Sequence, residues 1–96
     1  MYGTVARMRA KPGMVDTLRE WSESYETNRP PGYVSQTVYQ MDDDPDVFYV
    51  AVVFESREAY VANAESDEQN ERYLEMRAML AEDPEWHDGE IVYTEA

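Results

Sequence analysis

Three features of this 96-residue sequence predict an α+β fold: stretches of helical apolar spacing, stretches of period-two alternation, and their order along the chain, strand, helix, strand, strand, helix, strand. That order is the ferredoxin-like one. It predicts a four-stranded antiparallel sheet with its helices on one face, because the connections after the first and third strands carry the only helical patterns. No internal repeat, linker or shift of composition interrupts the chain, so residues 1–96 read as a single domain.

The first strand is Tyr2–Lys11, with Tyr2, Thr4, Ala6, Met8 and Ala10 on one face and Gly3, Val5, Arg7, Arg9 and Lys11 on the other. Pro12-Gly13 breaks it. Met14, Leu18, Trp21 and Tyr25 then recur at helical spacing and form one stripe, which Asn28 to Gly32 brings to an end. Tyr33–Met41 and Asp46–Phe54 are rich in β-branched and aromatic residues and flank the turn cluster Asp42 to Pro45, which makes them a hairpin. Ser56 caps a short helix through Asn63 with Glu58 in its first turn, and Ser66 with Gln69 forms a capping-box pair that opens a second helical segment. In that segment Tyr73, Met76 and Leu80 make the apolar stripe. Glu68, Glu71, Glu75 and Glu82 face water, with Arg72 and Arg77 in partial compensation. Pro84 stops the helix, Glu85–Gly89 reads as a loop, and Glu90–Glu95 resumes alternation as the fourth strand.

Composition excludes several classes of function. Acidic residues outnumber Lys and Arg by 21 to 8, a formal charge of −13, so the summed field repels phosphate backbones and anionic lipid surfaces. Nucleic acid and membranes are therefore not expected as partners. Acidic runs such as Asp42-Asp43-Asp44 fit a salt-adapted host or, more simply, a solvated face that keeps the protein soluble. The chain has no cysteine and one histidine, which removes disulfides, thiolate ligands and a histidine-rich metal site, and no metal or cofactor is expected. There is no phosphate loop, dinucleotide-binding glycine pattern, nucleophile elbow or HExxH helix. With no long apolar run and no signal-like N-terminus, a cytoplasmic location is expected.

Val47 to Phe54 is apolar on both of its faces, although helices can cover only one face of a four-stranded sheet. Stacking the open face on a symmetry mate is the economical solution, so a homodimer is expected. Either Val50 and Val52 or their alternates Tyr49, Ala51 and Val53 belong at that interface. Arg7 and Arg9 lie on the partner-facing side of the first strand, where Glu55 of the neighbouring strand is the expected ion-pair partner; an anionic-substrate clamp is the other reading.

The segments Val5-Ala6-Arg7-Met8-Arg9-Ala10-Lys11-Pro12-Gly13 and Phe54-Glu55-Ser56-Arg57-Glu58-Ala59-Tyr60 resemble the first strand with its Lys-Pro-Gly turn, and the strand-to-helix junction, of the antibiotic biosynthesis monooxygenase-like family. The resemblance implies a dimeric α+β barrel with a pocket in each subunit between sheet and helices. It also implies one of three activities: cofactor-independent oxygenation of polycyclic phenols or quinones, haem degradation, or none assigned. Haem-degrading relatives use an Asn on the first strand and a Trp and a His on the helical segment, where this chain has Ala6, Asn63 and Tyr73. Without an imidazole in that place, haem degradation is not expected.

The helix-facing positions supply the candidates for a site. Trp21, Tyr25, Tyr60 and Met76 are candidate walls for a small aromatic ligand, with Asn63 and Tyr73 as polar points and Thr4 and Ala6 beneath. Plain core packing of the same residues is the alternative. His87 is the one side chain whose ordinary pKa lies near neutrality, which makes it a candidate catalytic base, while its place beside Asp88-Gly89 equally fits an exposed turn. The function expected is a cofactor-independent monooxygenase acting on a small aromatic or quinoid compound, set against a non-catalytic dimeric protein that binds a small molecule or regulates through the same pocket.

Overall fold

The computed structural model describes residues 1–24 and 27–95. Its elements follow in the order β1 (Tyr2–Arg9), α1 (Val15–Glu23), β2 (Tyr33–Gln40), β3 (Val47–Phe54), α2 (Arg57–Ala64), α3 (Asp67–Ala78) and β4 (Glu85–Glu90). The strands form one antiparallel sheet in the order β2-β3-β1-β4, the expected ferredoxin-like topology. The two most buried strands are central. Of the two edges, β2 mixes Ser, Thr and Gln with Val and Tyr, while β4 reads Glu-Trp-His-Asp-Gly-Glu, a composition that discourages edge-to-edge pairing with other chains.

Register assigns each face. Ala6 lies opposite Val50, Met8 opposite Phe48 and Thr4 opposite Val52, so the alternation read from the sequence puts all six side chains under the helices. Ala6, Met8, Ala10, Phe48 and Val50 join Leu18 of α1, Met76 of α3, and Met79 and Leu80 just beyond it in one buried cluster. Tyr49, Ala51 and Val53 point the other way, together with Val5, Arg7 and Arg9. Of the two sets offered for the open face, the structure therefore selects Tyr49, Ala51 and Val53.

The connections are short because their residues fix them locally. In Lys11-Pro12-Gly13-Met14 the Met14 N–H donates to the Lys11 carbonyl at 3.0 Å, with Pro at the second position and Gly13 at φ 81°, the geometry of a type II turn. Pro30-Pro31-Gly32-Tyr33 repeats it, with Gly32 at φ 79° and a 3.1 Å bond from Tyr33 N to Pro30 O. The Ser56 and Ser66 hydroxyls accept from the N–H groups of Ala59 and Gln69, each at 3.1 Å, so both caps read from sequence are made.

Two expectations need correction. The fourth strand is Glu85–Glu90, not Glu90–Glu95: Glu85 lies opposite Arg7 and Glu90 opposite Tyr2. Backbone pairing with β1 selects the segment, although its own side chains are all exposed, while Val92 and Tyr93 beyond it are 92% and 76% exposed. The arginines of β1 also pair with acids other than Glu55. Arg9 Nη1 reaches Asp44 Oδ2 at 2.7 Å, and Arg7 Nη1 reaches Glu82 Oε1 at 3.2 Å and Glu85 Oε2 at 3.6 Å. The Asp42–Asp46 loop, the segment after α3 and the start of β4 bring these acids to Arg7 and Arg9, whereas Glu55 follows Phe54, which lies opposite Tyr2 at the other end of β1. Glu82, read as a water-facing residue, is thus an ion-pair partner.

Candidate functional site

Between the helix-facing side of the sheet and the three helices lies a cavity of about 660 Å3. Its floor is apolar, drawn from Met8 of β1 and Phe48, Val50 and Val52 of β3. Trp21 stands on the α1 side, Tyr60 and Asn63 on α2, and Tyr73 and Met76 on α3. Trp86 and Asp88 of β4 close another edge, because they share the helix-facing phase of that strand with Ala6 and Thr4 opposite them.

The aromatic walls are held in place by polar contacts at their outer rims. Trp21 Nε1 donates to Glu75 Oε2 at 3.1 Å, and the Arg72 guanidinium lies 5.2 Å from the centre of the same indole, a cation–π distance. Arg72 also donates to Ser24 Oγ at 2.8 Å, which ties α3 to the end of α1. Tyr73 packs against Trp86 with ring centres 6.5 Å apart. Tyr60 sits 5.3 Å from Tyr2 and 5.7 Å from Phe54, edge-on to the latter.

The polar end of the cavity is built around Tyr60. Its hydroxyl donates to Asp88 Oδ1 at 2.7 Å, and burial, then this bond and the carboxylate charge, push its pKa well above the ordinary phenol value. Tyr60 is thus a hydrogen-bond donor at neutral pH and not a base. The Thr4 hydroxyl faces the same phenol and weakly opposes that shift, but it makes no hydrogen bond of good geometry: Thr4 is 5% exposed and its Oγ1 is a buried polar atom without a partner among the described residues. Asn63 is fixed from behind, since its carbonyl accepts from the Ser66 hydroxyl at 2.7 Å across the junction of α2 and α3.

Of the residues singled out from sequence, the fold brings Trp21, Tyr60, Asn63, Tyr73 and Met76 together around this one cavity. Ala6, fully buried, lies in the core beneath. Tyr25 lies outside the described residues. His87 does not join the group, because it is opposite Val5 in the register and so projects from the other face of the sheet. Trp86, Asp88 and Gln36 line the cavity and were not anticipated. Reading Glu85–Gly89 as a loop concealed the alternation that would have paired Trp86 with Asp88 and set His87 apart. Among the described residues no three His, Cys, Asp or Glu side chains are grouped to hold a metal ion, and no helix is long and apolar enough to cross a membrane.

A sequence model described as antibiotic biosynthesis monooxygenase matches residues 1–74. No curated protein sequence matches the chain. Among solved structures, a Chloroflexus aurantiacus protein provisionally described as an antibiotic biosynthesis monooxygenase is 28% identical, covering 99% of this chain and 96% of its own, with a TM-score of 0.79. SnoaB, a cofactor-independent oxygenase from Streptomyces nogalater, superposes with a TM-score of 0.82 at 16% identity, over 97% of this chain and 94% of its own. A conserved protein from Methanosarcina mazei has a TM-score of 0.78 at 20% identity, over 92% and 89%. At identities this low the last two likenesses speak to the fold alone.

Proposed function

The chain belongs to the antibiotic biosynthesis monooxygenase family, and from that premise we propose that it is a cofactor-independent oxygenase of a small aromatic or quinoid compound, working as a homodimer. The observation that carries the reading is the cavity of about 660 Å3, large enough for a ring system of two or three fused rings, walled by Trp21, Tyr73 and Trp86 over an apolar floor. Flat aromatic walls and a mostly apolar lining suit a flat, weakly polar ligand.

The chemistry asks little of the protein. A phenol that loses its proton becomes electron-rich enough to react with dioxygen. One phenol and one dioxygen then give one quinone and one water: one oxygen atom enters the ring, the other leaves as water, and the substrate supplies all the electrons. In this reading the protein excludes water, orients the ring and handles the proton, while Asn63 and Tyr73 supply polar contacts to the substrate's oxygens. SnoaB, of the same fold, bears the description of a cofactor-independent oxygenase.

The binding-protein reading has one observation in its favour: His87, the single histidine, is on the sheet face away from the cavity. An oxygen-consumption screen of phenols, hydroquinones and anthrones, aerobic against anaerobic, separates the two. Dioxygen uptake matched to quinone formation, with label from 18O2 in the product, is the expected result. Tight binding of such compounds without oxygen-dependent turnover would overturn the oxygenase reading in favour of a binding protein.

A further inference from the structure

We propose that Thr4, Tyr60 and Asp88 form a subsite for a hydroxyl group on the ligand's ring, with Asp88 accepting that hydroxyl's hydrogen bond and Thr4 donating one to its oxygen. The inference rests on the reading of the cavity as an aromatic-ligand site and adds where on the ligand a hydroxyl is required.

Three observations meet at this point. Thr4 lines the cavity, is 5% exposed, and its Oγ1 has no hydrogen-bond partner among the described residues. A buried hydroxyl left unpaired has lost its bond to water without replacement, so such an atom at a cavity wall marks a place where a guest's polar group is wanted. Asp88 is the residue directly opposite Thr4 in the pairing of β1 with β4, which sets its carboxylate on the same face and beside it. Tyr60 holds that carboxylate by a 2.7 Å bond to Oδ1, and among the described residues no other hydrogen bond reaches the Asp88 side chain.

The donors and acceptors are complementary to a hydroxyl and to little else. A carboxylate accepts only, so it selects a ligand that donates. The hydroxyl of Thr4 can turn its proton toward the oxygen that has just donated. Tyr60, kept protonated by burial and by Asp88, spends its proton on Oδ1 and leaves the other carboxylate oxygen for the guest. An aryl methyl ether of the same shape has no proton to give, and its methyl group would meet a carboxylate and a hydroxyl. A ring hydroxyl seated here also has its proton directed at a carboxylate, the arrangement that the loss of that proton calls for. The side chains come from three elements, β1, α2 and β4, and the sheet register positions two of them.

The test compares 1-naphthol with 1-methoxynaphthalene, read by quenching of the fluorescence of the wall residues Trp21 and Trp86. The unmodified protein should bind the naphthol at least roughly tenfold more tightly than its ether, the range expected for a hydrogen bond to a charged group. Thr4→Val, which keeps the shape and removes the hydroxyl, and Asp88→Asn, which removes the charge, should each lower naphthol affinity while leaving ether affinity in place. Thr4→Ser should restore the preference. Equal binding of the two probes by the unmodified protein would overturn the subsite and leave the cavity reading standing, and so would variants that weaken both probes alike or keep the preference. Failure of both probes to bind would overturn the subsite and the cavity reading together.

Discussion

At the residue scale, the clearest signals were those in which a single residue type has one physical use. The dipeptides Pro12-Gly13 and Pro31-Gly32 each close a type II turn, because proline presets the second position and glycine alone accepts the positive φ of the third at no cost. Gly3 was not legible in this way. It is an ordinary strand residue by backbone angle, but a Cβ there would run into the Val52 carbonyl oxygen on β3, a contact that only the paired sheet reveals. Gly3→Ala should therefore cost about 1–3 kcal/mol by forcing β1 from β3, measured by urea unfolding; a change below a few tenths of a kcal/mol would show that the strands part easily. Tyr60 was legible as a wall residue but not as a perturbed phenol, since that property needs Asp88 beside it. Its pKa in the folded state lies above the unfolded value of about 10, so its contribution to stability is intact below pH 10 and is lost as pH rises from there toward the folded value. The unmodified protein should lose stability as pH rises from 10 to 11, and Tyr60→Phe should lose less over the same interval. Parallel curves for the two proteins, by urea midpoint, would show that the phenol does not titrate with unfolding.

At the element scale, capping and alternation carried most of the fold, and the one misplaced element shows what they lack. The helices α2 and α3 were readable because Ser56 and Ser66 announce them, whereas β4 carries no hydrophobic alternation of its own and exists because β1 offers a free edge. Sequence periodicity detects burial, and an edge strand whose six residues are all exposed has none to detect. That miss reached the site directly, since placing the strand five residues late hid Trp86 and Asp88 and left His87 as the only candidate in the segment. The junction of α2 and α3 makes a testable link from element to site. The Ser66 hydroxyl both accepts from Gln69 N and donates to the Asn63 carbonyl, so one side chain caps α3 and fixes the end of α2 where Asn63 lines the cavity. Ser66→Ala should cost about 1 kcal/mol in urea unfolding, as N-cap losses do. It should also weaken binding of an aromatic ligand more than Ser56→Ala, whose cap carries no such second bond. Equal effects of the two variants on binding would deny the junction a role in the site.

At the scale of the whole molecule, the sheet has a covered face and a bare one. Val5 and Tyr39 on the bare face are 49% and 58% exposed, and Tyr49, Ala51 and Val53 lie between them on the central strand, an apolar stripe that soluble monomers rarely leave to water. Under the proposed homodimer a second copy covers this stripe, with the ion pairs of Arg7 and Arg9 at its margin. Charge works against that association, for each chain carries −13, and the repulsion is screened only as ionic strength rises. The dimer should accordingly be tighter at 0.5 M than at 0.02 M sodium chloride. Ala51, flanked by Val5 on one side and Thr37 on the other, is near the middle of the face. Ala51→Asp would place an unpartnered carboxylate in each subunit's share of the interface, at a cost of several kcal/mol per subunit. Once apart, the chains would expose the stripe, so the variant should aggregate or unfold at lower urea and not yield a stable monomer. Sedimentation at micromolar concentration checks each step: the unmodified protein is expected at twice the chain mass, and a single species at the monomer mass, or an Ala51→Asp variant that sediments and unfolds like its parent, would remove the interface from this face.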